Sequence, residues 1–241
     1  MAVELPIGDV RAPGTGALSA DIAGVLPGDD RFFYYLTKRV FDVVAAAAAL
    51  IALAPLLLIL AALVRLSSPG PIFFRQRRVG KDGREFEMLK FRTMTADRRC
   101  GDRRRSAEGA ELGPLERRAG DRRLAHKSRR DPRVTAIGRI LRRSSLDELP
   151  QLFNILRGEM SLVGPRPELP GIVARYEPWQ HARHTVTPGL TGWWQVRRDG
   201  TRLMHEATEY DLYYVLNQSW RLDVEILLGT VKAVLTGTGA F

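Results

Sequence analysis

Two adjacent carboxylates, Asp147 and Glu148, stand at the centre of the stretch of sequence that is richest in chemically competent side chains. Pro150 sets the local register, because proline is tolerated only in the first turn of a helix, where amide groups lack partners. This predicts a helix with Asp147 as its N-cap, which runs to Arg157 and ends at Gly158. A carboxylate at that position stays ionised and lies beside anion-binding amides. Because paired carboxylates commonly hold Mg²⁺ together with substrate phosphates, the pair predicts a magnesium site.

Four basic side chains from separate segments could bind phosphate beside this carboxylate pair: Lys90, Arg92, Arg142 and Arg166. Arg166 lies between two prolines, which restrict its backbone, so that its guanidinium meets a phosphate at little cost in ordering. A guanidinium also takes two phosphate oxygens at once. Each of these bases alone is typical of a solvated surface. Together with the two carboxylates, they predict a site that binds a metal ion and a diphosphate.

A run of 22 residues, Val43 to Val64, contains no charged or hydrogen-bonding side chain. About 20 such residues cross a bilayer as a helix. Pro55 lies near the middle, where it bends or breaks a helix and leaves arms of roughly 12 and 10 residues, each too short to cross. Basic residues at both ends favour a re-entrant hairpin that returns to the cytoplasmic side. A simple membrane span, helped by acidic residues within 1–37, and a buried core helix remain the alternatives.

The chain of 241 residues is 45% hydrophobic and carries a net charge of +10, from 37 Lys and Arg against 27 Asp and Glu. This composition excludes a disordered chain, and a single cysteine excludes a disulfide framework. The basic excess favours anionic partners such as nucleic acid, nucleotide phosphates or a lipid surface. Residues 97–130 hold twelve Lys or Arg against six Asp or Glu, and thus six of the ten surplus charges. We expect a solvated insertion there, with binding to anionic lipid headgroups as the alternative.

The remaining pattern predicts a chain that is α+β but mostly helical. Two strands, 72–78 and 84–90, flank an Asp-Gly turn and predict a short β-hairpin. Helices are predicted over 134–143, 148–157, 169–183 and 223–235. The last of these has one apolar face, which is either core or in contact with a membrane interface.

These segments, taken in order, resemble the bacterial sugar transferase family, the monotopic phosphoglycosyl transferases. The likeness runs from about Lys38 to Phe241. Its motifs include Lys38-Arg39-Val40-Phe41-Asp42, Pro69-Gly70-Pro71, Lys90-Phe91-Arg92-Thr93-Met94, Asp131-Pro132-Arg133, Leu146-Asp147-Glu148-Leu149-Pro150-Gln151-Leu152, Gly164-Pro165-Arg166-Pro167, Pro188-Gly189-Leu190-Thr191-Gly192 and Glu209-Tyr210-Asp211.

The resemblance implies transfer of a sugar 1-phosphate from a UDP-sugar to undecaprenyl (polyprenyl) phosphate. Asp147 would attack the β-phosphorus, form a phosphosugar-aspartate and release UMP, while Glu148 helps to hold Mg²⁺. Arg166 would contact the nucleotide end of the donor. The other polar site residues implied are Lys90, Arg92, Arg142 and Asp211. Such a step begins the membrane stage of exopolysaccharide, O-antigen, capsule or glycoconjugate synthesis.

The resemblance also implies an organisation at the cytoplasmic face of the bacterial inner membrane. We expect a re-entrant membrane helix kinked at Pro55 over 38–66, and a compact cytoplasmic catalytic domain over 67–241 with the insertion at 97–130. Residues 1–37 match nothing in the family, and we expect a flexible tail there. Membrane lipids are then partners and nucleic acid is not. The sugar, the pathway and the oligomeric state, a homodimer included, stay open.

Two departures from the family pattern affect this interpretation. The kink is Ala54-Pro55 where the family often has Ser-Pro, so any contribution of a hydroxyl to the break is absent. Trp193 and Trp194 stand where smaller residues are expected, and could pack on substrate, lie among lipid headgroups or fill core. The alternative from another class is a basic nucleic-acid or membrane-surface binding protein without catalysis, with these tryptophans stacking on bases. That alternative leaves the apolar run unexplained.

Overall fold

The described chain is mostly helical and contains a short β-hairpin, as the sequence predicts, together with a second small sheet that was not predicted. A computed structural model describes residues 31–95, 131, 133–197 and 207–236. The predicted insertion at 97–130 and all but the end of the predicted tail lie outside the described residues.

The apolar run forms two helices that meet at a sharp angle. Helix α1 spans Phe32–Ala52, and so begins before the boundary predicted at residue 38, and α2 spans Ala54–Ser67. The two are bent by 66°. Pro55 lies in the first turn of α2, where its missing amide proton costs no hydrogen bond. Among the described helices none is by itself long and apolar enough to cross a membrane, whereas α1 and α2 together meet that criterion of length and composition.

The predicted hairpin is present, with each strand shifted by one residue. Strand β1 (Phe73–Val79) pairs antiparallel with β2 (Glu85–Phe91). Asp82 (φ 56°) and Gly83 (φ 73°) adopt the left-handed backbone that an Asp-Gly turn allows. Because Met88 and Phe91 are buried, β2 contributes to the core.

Short helices and a second, parallel pair of strands make up the rest of the described chain. They are α3 (Ala136–Arg143), α4 (Gln151–Arg157), β3 (Ser161–Val163), α5 (Pro170–Val173), β4 (Gly189–Thr191), α6 (Trp193–Arg197), α7 (Thr208–Leu216) and α8 (Trp220–Thr236).

The prediction of one helix over 169–183 is wrong. Helix α5 ends at Val173, and a separate 3₁₀ helix spans Pro178–Thr185. Pro178 explains the break, since proline disfavours helical geometry at the preceding residue, and Glu177 is extended with ψ 154°.

Two open questions about apolar residues are answered by burial. Trp193 and Trp194 are buried, and Trp193 packs with Val163, Tyr214 and Ile226, so the core interpretation of the tryptophans is correct. The predicted apolar face of α8 is instead largely exposed. Its exposed side chains are Val224, Leu228, Val231, Val234 and Leu235.

Candidate active site

Glu148 is held between two cations that the sequence also assigned to the site. Lys90 Nζ donates to Glu148 Oε1 at 2.7 Å. Arg166 donates to the same oxygen through Nη2 at 2.5 Å and to Oε2 through Nη1 at 3.2 Å. Lys90 comes from β2 and Arg166 from the loop after β3, so two distant segments meet at one carboxylate. The structure therefore brings together three of the predicted site residues.

The charges of this cluster are fixed by burial and by one another. Burial alone would raise the pKa of Glu148, but the charges and hydrogen bonds of Arg166 and Lys90 outweigh it and hold that pKa well below its usual range. Burial lowers the pKa of Lys90, an effect that Glu148 opposes. Arg166 stays cationic, because Glu148 offsets its burial. Both cations thus remain charged beside this carboxylate, where they could contact the phosphates of an anionic diphosphate.

Asp147 lies in a 3₁₀ turn rather than at the N-cap of a helix. The turn spans Leu146–Glu148 and follows Ser145, which is left-handed with φ 57°. Helix α4 begins only at Gln151, so the predicted N-cap position of Asp147 is wrong. Pro150 directly precedes α4, where its lack of an amide proton is tolerated, and the 3₁₀ bonds satisfy the amides before it. The predicted helix end at Gly158 (φ 84°) is correct.

The half-buried Asp147 is electrostatically coupled to the same two cations. Its negative charge contributes to raising the pKa of both Lys90 and Arg166. The two adjacent carboxylates thus share one pair of basic side chains.

A buried ion pair, Arg183 with Asp211, contacts the backbone of the loop that carries Arg166. Arg183 donates through Nη2 to the backbone oxygen of Arg166 at 2.6 Å, and the same nitrogen lies 2.7 Å from Asp211 Oδ2. The side chains of Arg183 and Asp211 are each 1% exposed. The structure thus places Asp211 behind the Arg166 loop, next to Arg183. Sequence reasoning missed Arg183, because nothing in one sequence marks it as different from a surface arginine.

Close backbone contact also fixes this loop. A Cβ atom on Gly189 would lie 2.1 Å from Gly164 N, and one on Gly192 would lie 2.3 Å from Gly164 O. Side chains cannot be accommodated at such distances. The segments around Gly164 and Gly189, 25 positions apart in sequence, therefore touch backbone to backbone, and only glycine fits at the points of contact.

Arg92 and Arg142 make other contacts. Arg92 is buried and donates through Nη2 to the backbone oxygens of Val64 at 3.1 Å and Ser68 at 2.5 Å. It thus caps the C-terminal end of α2. Arg142 donates through Nε to Thr93 Oγ1 at 2.8 Å. Neither arginine forms an ion pair with Glu148 among the described residues, and their predicted role in binding phosphate stays a prediction.

The three charged residues of the Lys38-Arg39-Val40-Phe41-Asp42 motif connect helix α1 to α8, α4 and β3. Lys38 pairs with Asp223 of α8. Arg39 donates to the backbone oxygens of Ile155 at 2.6 Å and Leu156 at 3.0 Å, near the end of α4. Asp42 accepts a hydrogen bond from Leu162 N at 2.9 Å.

Asp147 and Glu148 offer two carboxylate groups, a number of protein ligands that suits Mg²⁺ bound together with substrate phosphates. In the described part of the chain, no group of three or more His, Cys, Asp or Glu is placed to hold a metal ion. A dedicated cage of protein ligands is therefore not present there. Magnesium, however, usually takes one or two carboxylates together with substrate phosphates and water, and an adjacent pair meets that need.

The sequence matches known proteins over most of its length. Residues 33–237 match the family described as bacterial sugar transferase. A UDP-glucose:undecaprenyl-phosphate glucose-1-phosphate transferase of Caulobacter vibrioides is 44% identical over 239 residues, covering 95% of this chain and 80% of that protein. The exopolysaccharide production protein ExoY of Sinorhizobium fredii is 41% identical over 206 residues, covering 86% of this chain and 88% of that protein.

A third relative is longer. A UDP-N-acetylgalactosamine-undecaprenyl-phosphate N-acetylgalactosaminephosphotransferase of Aeromonas hydrophila is 39% identical over 216 residues, covering 86% of this chain and 45% of that protein. This chain thus spans less than half of that relative. With the family match extending from α1 to the last turn of α8, across the Glu148 cluster, the chain belongs to the bacterial sugar transferase family.

Proposed function

We propose that this protein transfers a sugar 1-phosphate from a UDP-sugar to undecaprenyl phosphate or a similar polyprenyl phosphate. The observation that carries the proposal is the Asp147-Glu148 pair, set against the partly buried cations Lys90 and Arg166. Relatives that cover most of this chain are named for such transfers or for exopolysaccharide production. The cluster supplies what the reaction needs, since it offers a carboxylate nucleophile next to two cationic side chains that can bind the phosphates of the donor.

The reaction proceeds in two displacements. A carboxylate oxygen of Asp147 attacks the β-phosphorus of the donor, and the bond from that phosphorus to the bridging oxygen breaks. UMP leaves with the bridging oxygen, and the sugar phosphate is bound to Asp147. A phosphate oxygen of the acceptor then attacks the same phosphorus, which frees Asp147 and forms the lipid diphosphate sugar. Splitting the transfer in this way lets two substrates use one site in turn.

Glu148 and Arg166 position the reacting groups. Because Arg166 is held by Glu148, Arg183 and the glycine contact, its guanidinium can bind donor phosphate oxygens with little loss of freedom. Asp147 and Glu148 would hold Mg²⁺, which when bound neutralises charge on the diphosphate.

We also propose that α1 and α2 form a re-entrant hairpin at the cytoplasmic face of the inner membrane. The 66° bend and the exposed apolar side chains of both helices support this arrangement. The hairpin would bring the lipid acceptor and the soluble donor to one interface.

The alternative of a nucleic-acid binding protein has little support. It needs Trp193 and Trp194 as stacking surfaces, but both are buried in the core. Fractionation separates the two hypotheses: an ionic nucleic-acid binder leaves the membrane pellet in high salt, whereas an inserted hairpin needs detergent.

The test of the proposed reaction is UMP release from a panel of UDP-sugars, with and without undecaprenyl phosphate, by wild type and Asp147→Asn. The wild type is expected to turn over at least one donor, and Asp147→Asn none. Asp82→Asn is the matched control, since Asp82 lies exposed in the hairpin turn and asparagine tolerates its positive φ. Normal turnover by Asp147→Asn would refute the role of Asp147 as nucleophile.

A further inference from the structure

An apolar cavity of about 220 Å³ opens directly beside Glu148. Ser145 and Glu148 are among its polar lining residues, and Leu162, Leu190 and Leu227 are among its apolar ones. Apolar cavities of roughly 150 Å³ stay dry and bind molecules such as benzene. The cavity therefore has room for a short hydrocarbon segment, and it is smaller than the pockets that hold drug-sized ligands.

Two hydroxyls in the wall are already satisfied. Thr191 Oγ1 and Thr230 Oγ1 lie 2.6 Å apart, and Thr230 donates to the backbone oxygen of Ile226 at 2.7 Å. Because these groups bond to one another and to backbone, a hydrocarbon entering the cavity leaves neither of them without a partner.

The lining of the cavity also reaches an apolar surface. Val234 lines the cavity and is also 52% exposed. Leu228, Val231 and Leu235 continue an exposed apolar strip on the same helix, α8. An exposed strip of this kind is typical of a helix that contacts a bilayer interface. The cavity thus connects the charged site with a surface that suits lipid.

We propose that this cavity holds the isoprenoid units next to the phosphate of the polyprenyl phosphate acceptor. The phosphate lies towards Lys90 and Arg166, which match its charge, and the rest of the chain leaves past Val234. The inference rests on the proposed function, and it adds the residues that select a lipid acceptor over a water-soluble one.

The test fills the cavity without adding charge. Ala233 lines the cavity, so Ala233→Phe occupies the space, whereas Leu216→Phe places the same ring at an exposed position of α7, outside the cavity and the apolar strip of α8. Initial rates are measured with undecaprenyl phosphate in detergent micelles and a UDP-sugar that the wild type uses. We expect Ala233→Phe to raise the KM for undecaprenyl phosphate by about tenfold, as expected for loss of roughly two buried methylene groups. For Ala233→Phe, kcat/KM for the donor should stay at the wild-type level. For Leu216→Phe, the KM for undecaprenyl phosphate and kcat/KM for the donor should both stay at the wild-type level.

Other results would overturn the inference. An unchanged KM for the acceptor means that the lipid does not use the cavity, and a raised KM for the donor alone means that the donor does. Ala233→Val makes the same test with a smaller expected effect if the phenylalanine variant does not fold by circular dichroism. If the wild type releases UMP from no UDP-sugar, the proposed function fails, and direct binding of undecaprenyl phosphate to wild type and Ala233→Phe still decides the role of the cavity.

Discussion

The Nζ atom of Lys38 donates to Oδ2 of Asp223 at 2.7 Å, across 185 positions of sequence. Tyr34 donates to the same oxygen and Tyr214 to the other, each at 2.8 Å. Asp223 thus receives hydrogen bonds from α1 and α7 while it lies on α8. The side chain of Asp223 is 2% exposed, so this contact between α1, α7 and α8 is shielded from solvent.

Replacing Asp223 by asparagine should destabilise the fold strongly. The change leaves the buried Lys38 without its counter-ion, a loss that typically costs 3–5 kcal/mol, or roughly 10 °C in Tm for a chain of this size. Thermal unfolding in detergent measures it. Glu225→Gln is the control on the same helix, because the exposed pair of Glu225 with Arg197 is worth at most about 1 kcal/mol. Equal shifts in the two variants would contradict the role of Asp223.

Asp211 should make stability depend on pH in a mildly acidic range. Burial raises its pKa from 3.8 to about 6, although Arg183 opposes the rise. A carboxyl group with a raised pKa binds its proton more tightly when folded, so stability should fall as pH rises from about 4 to about 6 and stay level above. The full change is up to about 3 kcal/mol. Asp211→Asn should flatten this part of the profile of Tm against pH, and parallel profiles for wild type and variant would exclude Asp211 as the source.

Arg92→Met tests whether Arg92 supports the fold or binds the donor. Arg92 donates hydrogen bonds to the backbone oxygens of Val64 and Ser68, so the variant leaves two carbonyls at the end of α2 without a charged donor. We expect the free energy of unfolding to fall by about 2–3 kcal/mol, which lowers Tm. Arg65→Gln is the control, since the hydrogen bond of Arg65 to Gly70 is exposed. A raised KM for the UDP-sugar at an unchanged Tm would instead support the phosphate-binding role that the sequence predicts.

The glycine contact behind Arg166 should not accept a methyl group. Gly189→Ala would bring Cβ to 2.1 Å from Gly164 N, so the two segments must separate. Overpacking of this kind costs roughly 1–3 kcal/mol or more, and we expect lower yield, lower Tm and weaker donor binding together. Gly171→Ala is the control, because a Cβ there meets nothing within 4 Å. A normal Gly189→Ala protein would show that the loop tolerates a different backbone path.

Local features were the most predictable from sequence. The Asp82-Gly83 turn, the break near Pro55 and the helix end at Gly158 each depend on the backbone preferences of one or two residues. The meeting of Lys90, Glu148 and Arg166 could be expected from their types and from the family resemblance.

The rest depends on tertiary packing, which a single sequence does not report. Arg183 lies in a 3₁₀ helix, and only its burial against Asp211 distinguishes it from a solvated arginine. The apolar side chains of α8 have the spacing of a core helix, but the fold buries Leu222 and Ile226 and leaves Leu228 and Val231 exposed. The sequence predicts an N-cap at Asp147 because it does not distinguish a 3₁₀ turn from the first turn of an α-helix.

The bonds from Arg39 to the end of α4 have a mechanical consequence. Helix α4 directly follows the turn that carries Asp147, and α1 grips its last carbonyls at Ile155 and Leu156. If α1 and α2 are inserted as proposed, the height of Asp147 above the bilayer is set by this rigid connection and not by a flexible tether. The phosphate of the acceptor must then lie at the depth in the headgroup region that matches the fixed height of Asp147. Activity should therefore depend on how deep in the bilayer that phosphate lies.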